Sequence, residues 1–313
     1  MNFQYINAHK DLFSAVLGMP ASEFMDLLYR FSRELHIQER SWYMKLGRNR
    51  KQGGGRKPVL DSDAKKLFFV LFYYKTHPTY RVCQALFRLD KKNCRIWRVR
   101  LEKVLHAVST IHLLLPRVKM CVADSYLWVI PHLREFIVDG TERPVKRSVI
   151  TTDQEQFYSG KKKDHTVKNV ICIDPHTKAI TGMTDTYLGK THDLEVFRTD
   201  SLFYQIPKRS VGLADSGFQG VDHPFLKAVI PYKRVRGQGE LTSEQKATNA
   251  SISKRRVSVE HVFAHLKKYK ILSEPLREKL LTPDNLTPAH IPFETIAGLY
   301  NFHLSYVKQH KRA

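Results

Sequence analysis

Cysteine is scarce in this chain. Cys83, Cys94, Cys121 and Cys172 are the four in 313 residues, widely spaced, with no C-x-x-C pair and no ladder. That spacing excludes a disulfide scaffold and predicts four reduced thiols, mostly buried, in a cytoplasmic protein. Long apolar runs are missing too. The longest near the start, Leu67 to Tyr74, stops at Lys75, far short of the roughly 20 residues a spanning helix needs. Met1-Asn2-Phe3-Gln4 does not lead from a basic stretch into an apolar one, so no secretory leader is expected. There is no P-loop, and Gly237-Gln238-Gly239 is too short for a dinucleotide fingerprint, so ATP is not implied. Acid is in deficit as well: 30 Asp and Glu stand against 52 Lys and Arg.

The resulting formal charge of +22 points to a polyanionic partner rather than to a fold. Hydrophobic residues make up 42% and aromatics 11%, enough for a real core, which excludes global disorder. The charge is uneven: residues 1–120 hold 23 basic and 9 acidic side chains. The first third is therefore the denser polyanion binder.

Phe24, Leu27, Leu28, Phe31 and Leu35 mark one face of an amphipathic helix, with Ser22 as its expected N-cap. Arg48 to Pro58 then breaks the pattern with three glycines, five basic residues and no acid. It reads as a solvated hinge or as an arm along a DNA groove. From Asp61 to about Val108 the periodicity predicts three helices. Asp61 or Asp63 caps the first, and His77-Pro78 forces a tight connection before the second. The third carries Trp97, Leu101, Val104, Leu105 and Val108 on its apolar stripe and Lys91, Lys92, Arg95 and Arg98 on another face. A basic last helix after a tight turn is the helix-turn-helix arrangement, with that helix offered to the major groove.

After residue 120 the texture changes to strands. Phe136 to Val138, Val167 to Ile173, Ala179 to Met183, Val211 to Ala214 and Ala228 to Pro231 are the expected five, with helices at His192 to Phe203 and Lys254 to Tyr269. The order predicts a mixed α/β domain with a partly antiparallel sheet. Phosphodiester chemistry at neutral pH calls for divalent metal held by carboxylates, aimed from the ends of buried strands. Asp124, Asp139, Asp174 and Asp215 occupy such positions. Asp174-Pro175 is also a turn signal, and Asp124 is also compatible with a cap. Asp139 and Asp215 precede small residues, Gly140-Thr141 and Ser216-Gly217, which leave room for metal and phosphate.

Asp139-Gly140-Thr141-Glu142-Arg143-Pro144, Tyr158-Ser159-Gly160-Lys161-Lys162-Lys163, His165-Thr166-Val167-Lys168-Asn169, His192-Asp193 and Ala214-Asp215-Ser216-Gly217-Phe218 follow in order. Together with Glu260 on the late helix they resemble the catalytic domain of bacterial insertion-sequence transposases, the insertion-sequence-five family related to Harbinger-like DDE superfamily endonucleases. The resemblance covers roughly residues 56–270. It implies a ribonuclease H-like fold and a catalytic, metal-binding triad of Asp139, Asp215 and Glu260 holding two Mg²⁺ or Mn²⁺ ions. It also implies double-stranded DNA as partner, at inverted-repeat ends and at the target, and a homodimer or higher oligomer on that DNA in the bacterial cytoplasm, near the nucleoid. Arg256, Glu260 and Lys267 have the spacing R-x3-E-x6-K of related transposases, although Ser253 stands where an aromatic often precedes the Arg. Asp193 becomes an accessory acid or a helix cap, and Arg256 and Lys267 accessory contacts to DNA. Lys161, Lys162, Lys163 and Lys168 form a basic cluster compatible with phosphate contacts or with a solvated run.

His261 and His265 lie four apart on the Glu260 helix but show no third soft ligand, so zinc is not expected. The expected division is a helical segment at 1–47, a linker at 48–58, a helix-turn-helix region at 59–120, a catalytic domain at 121–275 and a helical tail at 276–313. The expected function is a DNA transposase that cuts DNA at its element's ends and joins the freed 3′-OH to target DNA. The alternatives are a nuclease without strand transfer and a transposase-derived DNA-binding protein.

Overall fold

The computed structural model describes residues 3–45, 58–111, 135–204, 210–218, 227–234, 240–278 and 280–310. Arg48 to Lys57, Cys121, Asp124 and Gly237 to Gly239 lie outside the described residues. The chain divides into two compact units, Met1–Leu114 with Lys267–Glu274 and Ile291–Ala313, and Leu115–Leu266 with Pro275–His290. The segment expected at 1–47 and all of that expected at 59–120 up to Leu114 thus fall in one unit, and the tail expected at 276–313 is divided between both.

The first unit is helical. It contains α1 (Phe3–Ala8), α2 (Lys10–Leu17), α3 (Ala21–Lys45), α4 (Asp63–Thr76), α5 (Tyr80–Phe87) and α6 (Lys91–Ile111). Helix α3 begins a residue before Ser22, because the Phe24 amide already bonds to the Pro20 carbonyl. Ser22 therefore sits inside the first turn rather than at the cap. In α4 the cap is Ser62, whose hydroxyl accepts from the Lys65 amide; the short Ser side chain supplies the acceptor expected of Asp61 or Asp63. Helix α4 is buried on every side from Lys66 to Tyr74, which marks it as the core around which the unit packs. Helix α6 buries Leu101, Val104, Leu105 and Val108 as the periodicity predicts.

The second unit is mixed α/β. Its elements are β1 (Glu135–Pro144), α7 (Thr151–Phe157), β2 (Tyr158–Ser159), β3 (Asp164–Ile173), β4 (Ile180–Met183), β5 (Tyr187–Leu188), α8 (Asp193–Thr199), α9 (Ser201–Tyr204), β6 (Val211–Leu213), β7 (Lys227–Val229) and α10 (Ser243–Leu266). Helix α11 (Lys270–Ser273) and all but the first turn of α12 (Thr287–His310) belong to the helical unit. The sheet runs β2-β3-β1-β6-β7, with β4 and β5 also paired to β3. Seven described strands replace the expected five, because β2 and β5 are two-residue pairings too short to show in a hydropathy pattern. The partly antiparallel expectation holds: β1 pairs antiparallel to β3, and β6 runs parallel to β1 and to β7. Phe136, Val138, Val170 and Cys172 on one sheet face pack against Val196, Phe197, Leu202 and Phe203 from α8 and α9.

Candidate active site

Strand register brings the first two acids together. Ile137 of β1 pairs with Leu213 of the parallel strand β6. Two residues further along each chain stand Asp139 and Asp215, so the two carboxylates emerge side by side. Asp139 is not at a strand end, as its Gly-Thr sequel suggested. Strand β1 continues to Pro144, held by antiparallel pairing with β3 from Ile137↔Ile173 to Pro144↔Thr166. Only Asp215 follows a strand end, in the turn entering the short 3-10 helix Ser216–Phe218.

Arg256 joins the pair. Its Nη2 lies 3.1 Å from Asp139 Oδ2 and its Nη1 3.4 Å from Asp215 Oδ1. The arginine reaches them because it belongs to the inward stripe of α10, with Ile252, Val259, Val262, Phe263 and Leu266. A planar guanidinium fork suits two carboxylates at once. The Gly140 amide also donates to Asp139 Oδ1 at 2.9 Å. Burial still lifts the Asp139 carboxyl above the ordinary aspartate value, opposed by Arg256 and the Gly140 amide, assisted by the negative charge of Asp215 and opposed again by Lys161.

Asp193 stands beside this pair. It is the first residue of α8, but the capping acceptor is His192, whose Nδ1 takes the Leu194 amide. The Asp193 carboxylate instead faces two glycines: Oδ1 is 3.6 Å from where a Cβ on Gly140 would be, and Oδ2 3.5 Å from that of Gly217. Lys168 Nζ is 2.8 Å from Asp193 Oδ1 and donates to the Thr191 carbonyl at 2.7 Å.

Glu260 is one turn past Arg256, at an exposed position of α10. Among the described residues no group of three His, Cys, Asp or Glu side chains is close enough to hold an ion. Asp139 and Asp215 are therefore brought together, and Glu260 is not gathered with them into such a set; His261 and His265 form no such group either. Lys267 falls just past α10, in the segment that belongs to the helical unit. Lys161, Lys162 and Lys163 are exposed in the turn between β2 and β3. Lys91, Lys92 and Arg95 are exposed on the first turns of α6, whereas Arg98 is buried. Its Nη2 bonds Glu102 at 2.8 Å, and its guanidinium lies over the Tyr73 ring. Asp174 closes the β3–β4 turn, its Oδ1 accepting from the His176 and Thr177 amides.

Sequence reasoning did not find Arg256 as the bridge between the acids. Its spacing of four from Ile252 and three from Val259 on an otherwise apolar stripe was the available signal. It also missed the buried network of Arg143, which donates to the Ala289 carbonyl at 2.8 Å and to Asn169 Oδ1 at 2.5 Å.

An oxygen-only donor set suits a hard divalent cation. Mg²⁺ keeps several waters and takes one or two carboxylates, which is what Asp139 and Asp215 offer. Their mutual repulsion is the charge pattern such an ion relieves. Asp139 on β1 and Asp215 just past β6, forked by a helix arginine, form a carboxylate pair of the kind that metal-dependent phosphodiester chemistry calls for. Residues 138–301, more than half of the chain, match the DDE superfamily endonuclease family. The chain belongs to that family. It is 28% identical over 268 residues, 84% of this chain and 88% of the relative, to a protein described as the probable transposase for insertion sequence element IS702 of Microchaete diplosiphon. It is 25% identical over 209 residues, 67% of this chain and 70% of the relative, to a protein described as the putative transposase for insertion sequence element IS112 of Streptomyces albus G. No solved structure of another protein matches it. No described helix is long and apolar enough to cross a membrane.

Proposed function

We propose that this chain is the transposase of an insertion sequence, with a ribonuclease H-like catalytic unit that cuts DNA at the element's ends and joins the freed 3′-OH to target DNA. The observation that carries this reading is the Arg256-forked pair of Asp139 and Asp215 inside a stretch that matches the DDE endonucleases. The fold reading is supported by three antiparallel strands followed by a return to a strand parallel to β1, with one acid on β1 and the next just past β6.

In this reading Asp139 and Asp215 hold the metal, with Glu260 as third ligand, and two Mg²⁺ or Mn²⁺ ions, when bound, supply charge for the attacking and leaving oxygens. Arg256 orients the two acids and contacts the scissile phosphate. Its guanidinium already faces both acids, which sets it beside a phosphate held there. Lys161 lowers the Asp139 carboxyl electrostatically, and with Lys162 and Lys163 beside it would steer a phosphate toward the acids. The exchange of one phosphodiester bond for another needs no nucleotide cofactor.

End recognition falls to the helical unit, read as a helix-turn-helix. Lys91 and Lys92 begin α6 with positive charge at a helix N-terminus, which costs roughly 0.3–1 kcal/mol each in isolation. A phosphate between them would reverse that cost. A homodimer or higher oligomer would hold two ends at once.

The test is strand cleavage and joining on DNA carrying the element's terminal repeats. Cleavage is expected with Mg²⁺ or Mn²⁺ and to vanish with chelator, and pre-cut ends with a free 3′-OH are expected to join target DNA. Full cleavage in excess chelator would overturn the metal reading. Cleavage without joining of pre-cut ends would leave a nuclease, and binding without either would leave a DNA-binding protein.

A further inference from the structure

Lys168 looks in sequence like one more basic residue of the 161–168 cluster, yet its surroundings are unlike those of its neighbours. Lys161, Lys162 and Lys163 are exposed; the Lys168 side chain is 7% exposed. It sits on the interior strand β3, opposite Glu142 of β1 in the sheet register. Its Nζ has an oxygen from each of three places. Asp193 Oδ1 is 2.8 Å away, the Thr191 carbonyl 2.7 Å and Glu142 Oε1 4.0 Å. Glu142 is itself buried and accepts from Thr166 Oγ1 at 2.9 Å. An ammonium has three protons to donate, and two are directed to these close partners. A lysine so enclosed offers little to a DNA phosphate.

What it holds is informative. The Asp193 carboxylate faces Gly140, the neighbour of Asp139, and Gly217, two residues past Asp215, across the space that a Cβ on either would take. Residues 139 and 140 project to opposite faces of β1. Asp193 therefore supports from the far face of the sheet the two backbone stretches that carry the acids. Without a partner its charge would add to theirs, repelling the acids and strengthening the pull on any cation they bind.

We propose that Lys168 is a positioning residue. It neutralises Asp193 and holds its carboxylate facing Gly140 and Gly217, which fixes the separation of Asp139 and Asp215 and keeps the Asp193 charge from adding to the metal site. This rests on the metal-dependent reading given above. Asp193 thereby becomes a strut in the site rather than a further ligand.

The experiment uses the full chain and the variants Lys168→Met, Lys168→Arg and Lys168→Met/Asp193→Asn. Mn²⁺ binding without DNA is measured by calorimetry, and DNA-end binding without divalent metal is measured across a salt series. Lys168→Met exposes an unpaired carboxylate, so Mn²⁺ binding should tighten severalfold while cleavage falls at least tenfold. Removing the Asp193 charge as well should return Mn²⁺ affinity to the wild-type value, and Lys168→Arg should behave close to wild type in Mn²⁺ binding. The salt dependence of end binding should be unchanged in all three. A Lys168→Met slope reduced by about one would make the residue a phosphate contact and overturn the proposal, whatever the metal result. Unaltered Mn²⁺ affinity in a folded Lys168→Met that still cleaves normally would overturn it too. If wild type binds no Mn²⁺ while its end binding is intact, the metal reading of the site fails and this proposal fails with it; a metal-binding wild type with an indifferent Lys168 sinks this proposal alone.

Discussion

At the scale of single residues the proposed chemistry turns on Arg256 and Asp139. Arg256 touches both acids, so replacing it by Met should remove orientation and a phosphate donor together. Cleavage should fall about 10²–10³-fold, the loss typical of a transition-state donor, with end binding reduced far less. Lys at this position should recover only part, because a point charge cannot fork two carboxylates. Wild-type cleavage by Arg256→Met would remove it from the site. Asp139 gives a stability signature. Its carboxyl is raised in the folded chain, first by burial, so the native state binds that proton more tightly than the unfolded state. Stability from this group is therefore present below the unfolded value of about 3.9 and is lost as pH rises through the raised folded value. Asp139→Asn should raise the melting temperature at pH 7 without metal and show no such gain near pH 3.5. A variant less stable than wild type at pH 7 would mean that the Arg256 contact outweighs burial.

At the scale of elements, α6 and α10 show what a periodic sequence conceals. The apolar stripe of α6 was legible, and so were the bounds of α4 to α6 to within a few residues. The direction of Arg98 was not. In sequence it shares a face with Lys91 and Arg95, but its position also lies over Tyr73 and one turn before Glu102, and those partners only meet once α4 packs on α6. Tyr74 donates to the same Glu102 at 2.9 Å. Arg98→Met should destabilise the helical unit by on the order of 3 kcal/mol, since it strips a buried carboxylate of its cation, and chemical denaturation would measure this. Arg95→Gln should change stability by no more than about 0.5 kcal/mol and lower the salt slope of end binding by about one. An unaltered slope would remove the first turns of α6 from the DNA contact. The acids themselves were legible because Asp139 and Asp215 precede small residues. Their adjacency was not, because it depends on the parallel register of β6 with β1, and parallel strands distant in sequence carry no local sign of their offset. The Lys168 pairing was hidden for a related reason: Asp193 and Glu142 come to it from two other elements.

Across the whole molecule, an excess of +22 and a two-carboxylate site make opposing demands. The general surface attracts DNA, while the acids repel its phosphates until positive charge is supplied at the site itself. Binding should therefore weaken steeply with salt, about 0.9 in log–log slope for each phosphate neutralised, and should not depend on divalent metal to the extent that cleavage does. The most direct measurement is a single-turnover strand-cleavage assay on terminal-repeat DNA with Mn²⁺, comparing wild type with Asp139→Asn and Asp215→Asn, with end binding measured on the same samples. Both variants should bind DNA at least as well as wild type, because a negative charge beside phosphate is gone, and both should lose cleavage to the limit of detection. Cleavage at the wild-type rate by either variant would contradict the assignment of this pair as the catalytic centre.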